Sequence, residues 1–243
     1  MFPFGARYTG GVEVAAGSVT GPGTSQLVAG QQRGGLVRVF SIESGGIATT
    51  PLRQIQPFGA GYRGGVSVAT SDIGTFNGSS TTATSPDGIT ELVVGSGPGI
   101  RATVKVYNGV PAVPAVVNTF NPISRTYNRG ISVAQLPGLA GAADGILVSA
   151  GSRGNGRVET YYGTAKVPAA AFAAYSGAAA RADVFTAALS ETEIFSVQGQ
   201  FGGTPAVRRP GVVKNTAPSG GTQTTLAGST GFVPPLRIGV LRR

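Results

Sequence analysis

The stretch PFGAGYRGGVSVA at residues 57–69 nearly copies PFGARYTGGVEVA at residues 3–15. A looser third copy, PISRTYNRGISVA, lies at residues 122–134, and a worn fourth copy surrounds residues 181–187. Self-similarity at a regular spacing is typical of a repeat architecture, in which each unit buries its apolar face against its neighbours. The copies therefore predict one repeat domain, since such units cannot form a core alone.

Each repeat unit contains four strand signals, which are short apolar or alternating runs bounded by Gly, Pro or Ser. In the second unit these runs lie at residues 66–69, 91–94, 103–107 and 116–120. The whole chain, residues 1–243, is predicted to be a single domain with units of approximately 3–56, 57–121, 122–176 and 177–243. Units of this length with four strands are typical of propeller blades. An alanine-rich run at 170–175 is predicted as a strand from its place in the repeat, although its composition also suits a short helix.

The composition suits many short strands joined by tight turns. The chain has 40 Gly and 16 Pro, and 41% of its residues are hydrophobic, which is enough for a sizeable core. It has no Cys, no His and no Trp, so thiolate chemistry and a histidine base are excluded. The net charge is +9, which favours anionic partners as one alternative.

Four motifs carry a resemblance to a known family: GGVEVA at 10–15, QLVAG at 26–30, GGLVRVF at 34–40 and ELVVGSGPG at 91–99. This pattern is similar to the FG-GAP/VCBS-type repeat of integrin-α-like β-propellers and bacterial surface proteins. The resemblance implies an all-β, propeller-like array of about four four-stranded antiparallel blades. The blades would form either a four-bladed ring or part of a larger ring that another copy or a partner chain completes. It also implies an extracellular or cell-surface location, although the given chain has no signal peptide.

Such repeats commonly carry a calcium loop between their first two strands, in outline D-x-x-x-D-G-x-x-D, because Ca²⁺ takes several oxygen ligands. The first unit departs from this pattern, and the third and fourth keep only Asp144 and Glu193 at it. The second unit retains Asp72 and a D-G-x-x-E sequence that runs from Asp87 to Glu91. The resemblance therefore implies at most one calcium site, built from these three residues, with a solvated loop as the alternative; no other cofactor is expected.

The leading functional hypothesis is a non-enzymatic binding or structural-assembly module that presents loops to a protein or glycan partner. The alternatives are a basic propeller that binds an anionic polymer, either polysaccharide or nucleic acid, and an enzyme with acids such as Glu191 and Glu193. Nucleic acid is disfavoured because basic residues recur at repeat-equivalent strand positions, namely Arg38, Lys105, Arg157 and Arg208, as outward-facing charges would. No apolar run is long enough to span a membrane.

Overall fold

The structure is a computed structural model that describes residues 1–139, 141–175, 181, 183–190, 193–199, 212–216 and 224–228. Side chains are described throughout these ranges except at residues 193, 197–199, 212–216 and 224–228. The described chain is all-β, with four antiparallel sheets and one separate hairpin. The predicted fold class is confirmed at this level.

The strands of each sheet follow one another along the chain. The first sheet contains β1 Val12–Gly17, β2 Gln26–Gln31, β3 Val37–Glu43, β4 Gly46–Ile47 and β5 Arg53–Ile55. The second contains β6 Val66–Ser71, β9 Glu91–Ser96, β10 Val104–Asn108 and β11 Ala115–Phe120. The third contains β12 Ile131–Leu136, β13 Gly145–Ala150, β14 Arg157–Tyr162 and β15 Ala170–Ala173. The fourth contains β16 Asp183–Ser190, β17 Glu193–Gly199, β18 Val212–Thr216 and β19 Thr224–Gly228.

Several strands differ from the sequence-based expectation. The second unit has a Ser-, Thr- and Gly-rich insertion at 74–87 whose composition predicts a loop, and this stretch contains a hairpin of β7 Thr75–Asn77 and β8 Ser80–Ala83. The Gly-, Ser- and Thr-rich passage at 215–231, in which the sequence analysis places no strand, includes part of β18 and all of β19. The alanine-rich run at 170–175 forms β15, as its place in the repeat predicts. In the fourth unit the same sequence pattern predicts strands at 206–209 and 236–241, and both stretches lie outside the described residues.

Hydrophobic cores lie between consecutive sheets, because each sheet has apolar side chains on both faces. Val28 of the first sheet packs in one cluster with Val66, Val68 and Leu92 of the second. The opposite face of the second sheet packs against the third, and a further cluster joins the third sheet to the fourth. Strands buried on both faces read as continuous apolar runs, which explains sequences such as the ELVVGS of β9.

The first strand of each sheet contacts the first strand of the next, in the order β1, β6, β12, β16. Glycines in the second strands allow the first strand of the next sheet to approach closely. A Cβ atom on Gly30 would lie 2.8 Å from Val68, and one on Gly95 would lie 2.9 Å from Val133. The glycine that ends each LVAG or LVVG motif is therefore a packing residue between two sheets.

One backbone hydrogen bond recurs between successive sheets. In each case, the N–H of a turn residue between the second and third strands donates to a carbonyl just before the next sheet's first strand. The pairs are Gly34 with Arg63, Gly99 with Asn128, and Arg153 with Arg181. The recurrence identifies these three turn residues as structurally equivalent.

Candidate functional site

The four first strands line one cavity of about 390 Å³. Its wall is mostly small and apolar, and polar groups come from Thr70 of β6, Ser132 and Gln135 of β12, and Thr186 of β16. The cavity therefore lies where the four sheets meet.

Glu13 is the charged residue of this cavity wall. Its carboxylate accepts a hydrogen bond from the Ser67 hydroxyl, and the Val68 N–H lies 3.4 Å from the same oxygen. Ser67 in turn accepts a hydrogen bond of 3.0 Å from the N–H of Val133. The side chains of Glu13 and Ser67 thus connect β1, β6 and β12, so this carboxylate joins sheets.

The three residues of the predicted calcium site lie at one edge of the second sheet, where Glu91 opposes the end of β6. The two carboxylate oxygens of Asp72 accept hydrogen bonds from the backbone N–H groups of Asp87 and Gly88, at 3.3 and 2.8 Å. Within the described part of the chain, no group of three or more His, Cys, Asp or Glu residues is placed to hold a metal ion. The calcium site stays a prediction.

Glu91 is 2% exposed, and the Ile73 N–H donates to its carboxyl group at 3.1 Å. Burial raises the pKa of Glu91, the Ile73 hydrogen bond lowers it and the nearby carboxylates of Asp72 and Asp87 raise it, and together they bring it to about 9. At neutral pH this carboxyl group is protonated, so it must lose a proton before it can coordinate a cation.

The sequence identifies Asp144 only as the remaining acid of a calcium loop, whereas in the structure its carboxylate connects two sheets. Its carboxylate accepts hydrogen bonds from the N–H groups of Asp72 and Gly138, at 3.2 and 3.0 Å, and from the Gln135 side chain. The Asp144 N–H donates back to the Asp72 carbonyl. Asp144 thus fastens the second sheet to the third.

The expected equivalence of Arg157 with Arg38 and Lys105 is wrong. The second-strand residues that pack toward the next sheet are Val28, Val93 and Leu147. They pair with Val39, Val106 and Thr160. The residue before each partner is Arg38, Lys105 and Glu159, so the third sheet has an acid where the first two have a base. Arg208, the fourth residue of that set, lies outside the described residues.

Glu159 is 2% exposed and has three hydrogen-bond donors around its carboxylate. The Ile123 N–H donates to one oxygen at 2.9 Å, and the Tyr161 hydroxyl donates to the same oxygen. The Arg157 Nε donates to the other oxygen at 2.6 Å. A buried carboxylate saturated in this way has a structural role. The sequence signal for this role is the acidic residue Glu159 at a strand position that is basic in the first two units.

Two further expectations concern the acids of the enzyme alternative and membrane-spanning segments. Glu191 and the side chain of Glu193, the acids of the enzyme alternative, are outside the described part of the chain. Among the residues that are described, no helix has the length and apolar character needed to cross a membrane.

No protein-family model matches the chain, and no curated protein sequence matches it. The resemblance to FG-GAP repeats therefore depends on the motifs themselves.

Proposed function

We propose that the chain is a non-enzymatic binding scaffold of the FG-GAP-like propeller type, with four blades around the shared cavity. Support comes from four consecutive antiparallel sheets whose first strands line that cavity. Each of the four unit ranges given above contains the strands of one sheet. The scaffold would act at the cell surface or outside the cell and present its loops to a protein or glycan partner.

The observation that carries the non-enzymatic role is the use made of the carboxylates. Glu13 and Asp144 connect neighbouring sheets, Glu159 ties its strand to the segment before β12, and Asp72 holds the turn at 87–88. These groups already accept hydrogen bonds from the protein itself. An acid–base mechanism needs carboxyl groups that face a substrate.

Closure of the ring is proposed to occur within one chain. Tyr62 and Tyr127 are buried between two sheets, whereas the equivalent Tyr8 is only half-buried and Val14 of β1 is 58% exposed. Phe185 of β16 lines the same cavity as Val14, on the other side of this opening. The fourth sheet is therefore the nearest candidate to cover the outer face of the first. A second copy or a partner chain is the alternative.

Cross-linking tests the closure, and the absence of native cysteine makes it unambiguous. The double variant Val14→Cys with Ala187→Cys is treated with a short bismaleimide at increasing dilution. Intramolecular closure predicts a cross-linked monomer whose yield does not depend on protein concentration. A concentration-dependent dimer, or an oligomeric mass in light scattering, would contradict closure within one chain. The Val14→Cys single variant is the control for random dimer formation.

The binding role is tested with an array of neutral and acidic glycans and the full-length chain. Saturable binding with the glycan recovered chemically unchanged, as judged by mass spectrometry, is the expected result. Cleavage or modification of a bound glycan would show that the protein is an enzyme.

A further inference from the structure

The third sheet has an arginine at a position that requires an unusual backbone conformation. The equivalent turn residues Gly34 and Gly99 have φ angles of +135° and +102°. Arg153 takes the same place with φ of +61°. Glycine adopts positive φ freely, whereas a residue with a Cβ is disfavoured there. A strained side chain at one of three equivalent turns is an observation that points to a function.

A second strained residue lies close by. Ile123 has φ of +71°, which is uncommon for a β-branched residue, and the Ser124 N–H closes a tight turn with the Pro122 carbonyl at 2.9 Å. The third residue with a side chain and positive φ in the described chain is Asn155, with φ of +56°. All three line the same pocket, which has a volume of about 500 Å³.

This pocket opens because the third unit lacks an aromatic ring that the first two units contain. Phe4 and Phe58 lie four residues before the repeat tyrosine, and each ring carries a cation, Arg38 or Lys105, at 5.7 or 6.0 Å. Ile123 occupies the corresponding place in the third unit. Because Glu159 replaces the basic residue there, the cation–ring pair is absent from this unit.

The pocket presents two guanidinium groups. Arg157 is held through its Nε by Glu159, and its side chain is 44% exposed, so its terminal nitrogens remain as donors. Among the described residues, Arg153 has no hydrogen-bond or ion-pair partner for its guanidinium. Arg153 and Arg157 are the charged residues of the pocket lining, and the Glu159 carboxylate pairs with Arg157. Guanidinium groups bind the planar carboxylate through parallel N–H donors, so the two arginines suit an anionic ligand group of this kind.

The remaining lining suits a sugar ring. Ser124 and Asn155 supply a hydroxyl and an amide at the rim, and Ala171 and Ala173 of β15, which pair with Glu159 and Arg157, supply an apolar wall. The volume lies within the range of small-ligand sites. We propose that this pocket, named here the Arg153 pocket, binds the carboxylate of an acidic saccharide through Arg153 and Arg157. The proposal rests on the proposed function as a binding scaffold and names the ligand class.

The test uses short oligogalacturonates as the probe, with isothermal titration calorimetry on the full-length chain. The matched neutral galactose oligomers, inorganic phosphate and a single-stranded oligonucleotide are titrated in parallel. Saturable heat with the uronate and much weaker binding of the other three are expected. Equal affinity for the neutral oligomer would overturn recognition of the carboxylate, and equal affinity for phosphate or the oligonucleotide would overturn recognition of a saccharide.

Arg153→Gly is the decisive variant because it copies the residue of the first two turns. It should weaken uronate binding by about ten-fold or more and raise the melting temperature. A merely structural role of Arg153 would not produce this opposite pair of effects. Arg153→Lys keeps the charge but loses the planar guanidinium, so its affinity for uronate should lie between those of the parent chain and Arg153→Gly.

Arg101→Ala is the matched control, since it removes one exposed arginine outside the pocket. It should bind uronate as the parent chain does. If Arg153→Gly binds as tightly as Arg101→Ala, the Arg153 pocket is not the site. Failure of the scaffold proposal gives different results, namely a concentration-dependent cross-link or a modified glycan, while uronate binding that depends on Arg153 persists.

Discussion

The second and third sheets share their backbone connections and differ in the side chains at one place. In both, a turn N–H donates to the segment before the next sheet, from Gly99 in one case and Arg153 in the other. Beside that turn, the second unit has Lys105 over the aromatic ring of Phe58. The third unit has the buried Glu159, whose carboxylate accepts three hydrogen bonds. The main chain thus defines the repeat, and the side chains at this place can change without altering the connection.

The largest expected effect comes from removing the acid of the third sheet. Glu159→Ala leaves the Ile123 N–H and the Tyr161 hydroxyl without their acceptor in a buried site. We expect the free energy of unfolding to fall by about 3 kcal/mol. Urea denaturation followed by circular dichroism measures the change.

Lys105→Ala is the matched variant, because Lys105 has the equivalent position in the second sheet. Its cation–ring contact is partly exposed, so the loss should stay below about 1 kcal/mol. Equal losses for the two variants would mean that Glu159 contributes no more than an ordinary surface contact. The comparison of the two sheets would then lose its energetic basis.

The free energy of unfolding should depend on pH through Glu91, which begins the second strand of the second unit, where the first unit has the neutral Gln26. Because the pKa of Glu91 is raised to about 9 by burial, the folded chain keeps a proton that the unfolded chain releases above its ordinary value of about 4.3. Between these two values the folded state binds more protons, so stability decreases as pH rises and levels off above the folded pKa. The expected loss from about pH 5 to pH 9 is a few kcal/mol.

Glu91→Gln copies the first unit, where Gln26 opens β2 and is also buried. The Thr20 N–H donates to the Gln26 side chain at 3.1 Å, so an amide satisfies this kind of site. The variant should fold and should lose this part of the pH dependence. Unfolding curves measured across the range decide the matter, and an unchanged slope in Glu91→Gln would refute the assignment.

A smaller loss is expected where the sheets approach one another. Gly95→Val places a branched side chain where a Cβ already lies 2.9 Å from Val133. Overpacking of this kind should cost about 2 kcal/mol. Gly61→Ala is the control, because a Cβ on Gly61 meets nothing within 4 Å and Arg7 and Thr126 occupy the equivalent place. Thermal unfolding compares them, and equal melting temperatures would show that the sheets can separate at no cost.

Much of this architecture could be predicted from the sequence. The all-β class follows from short apolar runs between glycines, and the alternation in β3 and β10 places those strands correctly. The strand at 170–173 was predictable only from the repeat, because local alanine content favours a helix. Context outweighed propensity there.

The rest depended on information that the linear pattern lacks. Arg157 and Lys105 are both basic residues near the start of a third strand, and only the pairing register shows that Glu159 is the equivalent of Lys105. Arg157 and Glu159 are two residues apart and lie on the same face of β14, so the alternation of the strand cannot distinguish them. The strand β19 has a Thr-rich sequence within a Gly- and Ser-rich passage, so its strand pairing could not be read from composition.

The smallest effect tests the turn itself. Arg153→Gly removes a side chain from a residue with φ of +61°, and this change should raise the free energy of unfolding by about 1 kcal/mol. The reciprocal variant Gly99→Arg should lower it by a similar amount, because a Cβ on Gly99 meets nothing within 4 Å and only the positive φ opposes the substitution. Chemical denaturation of both variants beside the parent chain measures the pair. If the two turns are equivalent, the changes in the free energy of unfolding should have opposite signs. A destabilised Arg153→Gly would mean that the arginine supports the fold, and its positive φ would then be no evidence for a binding role.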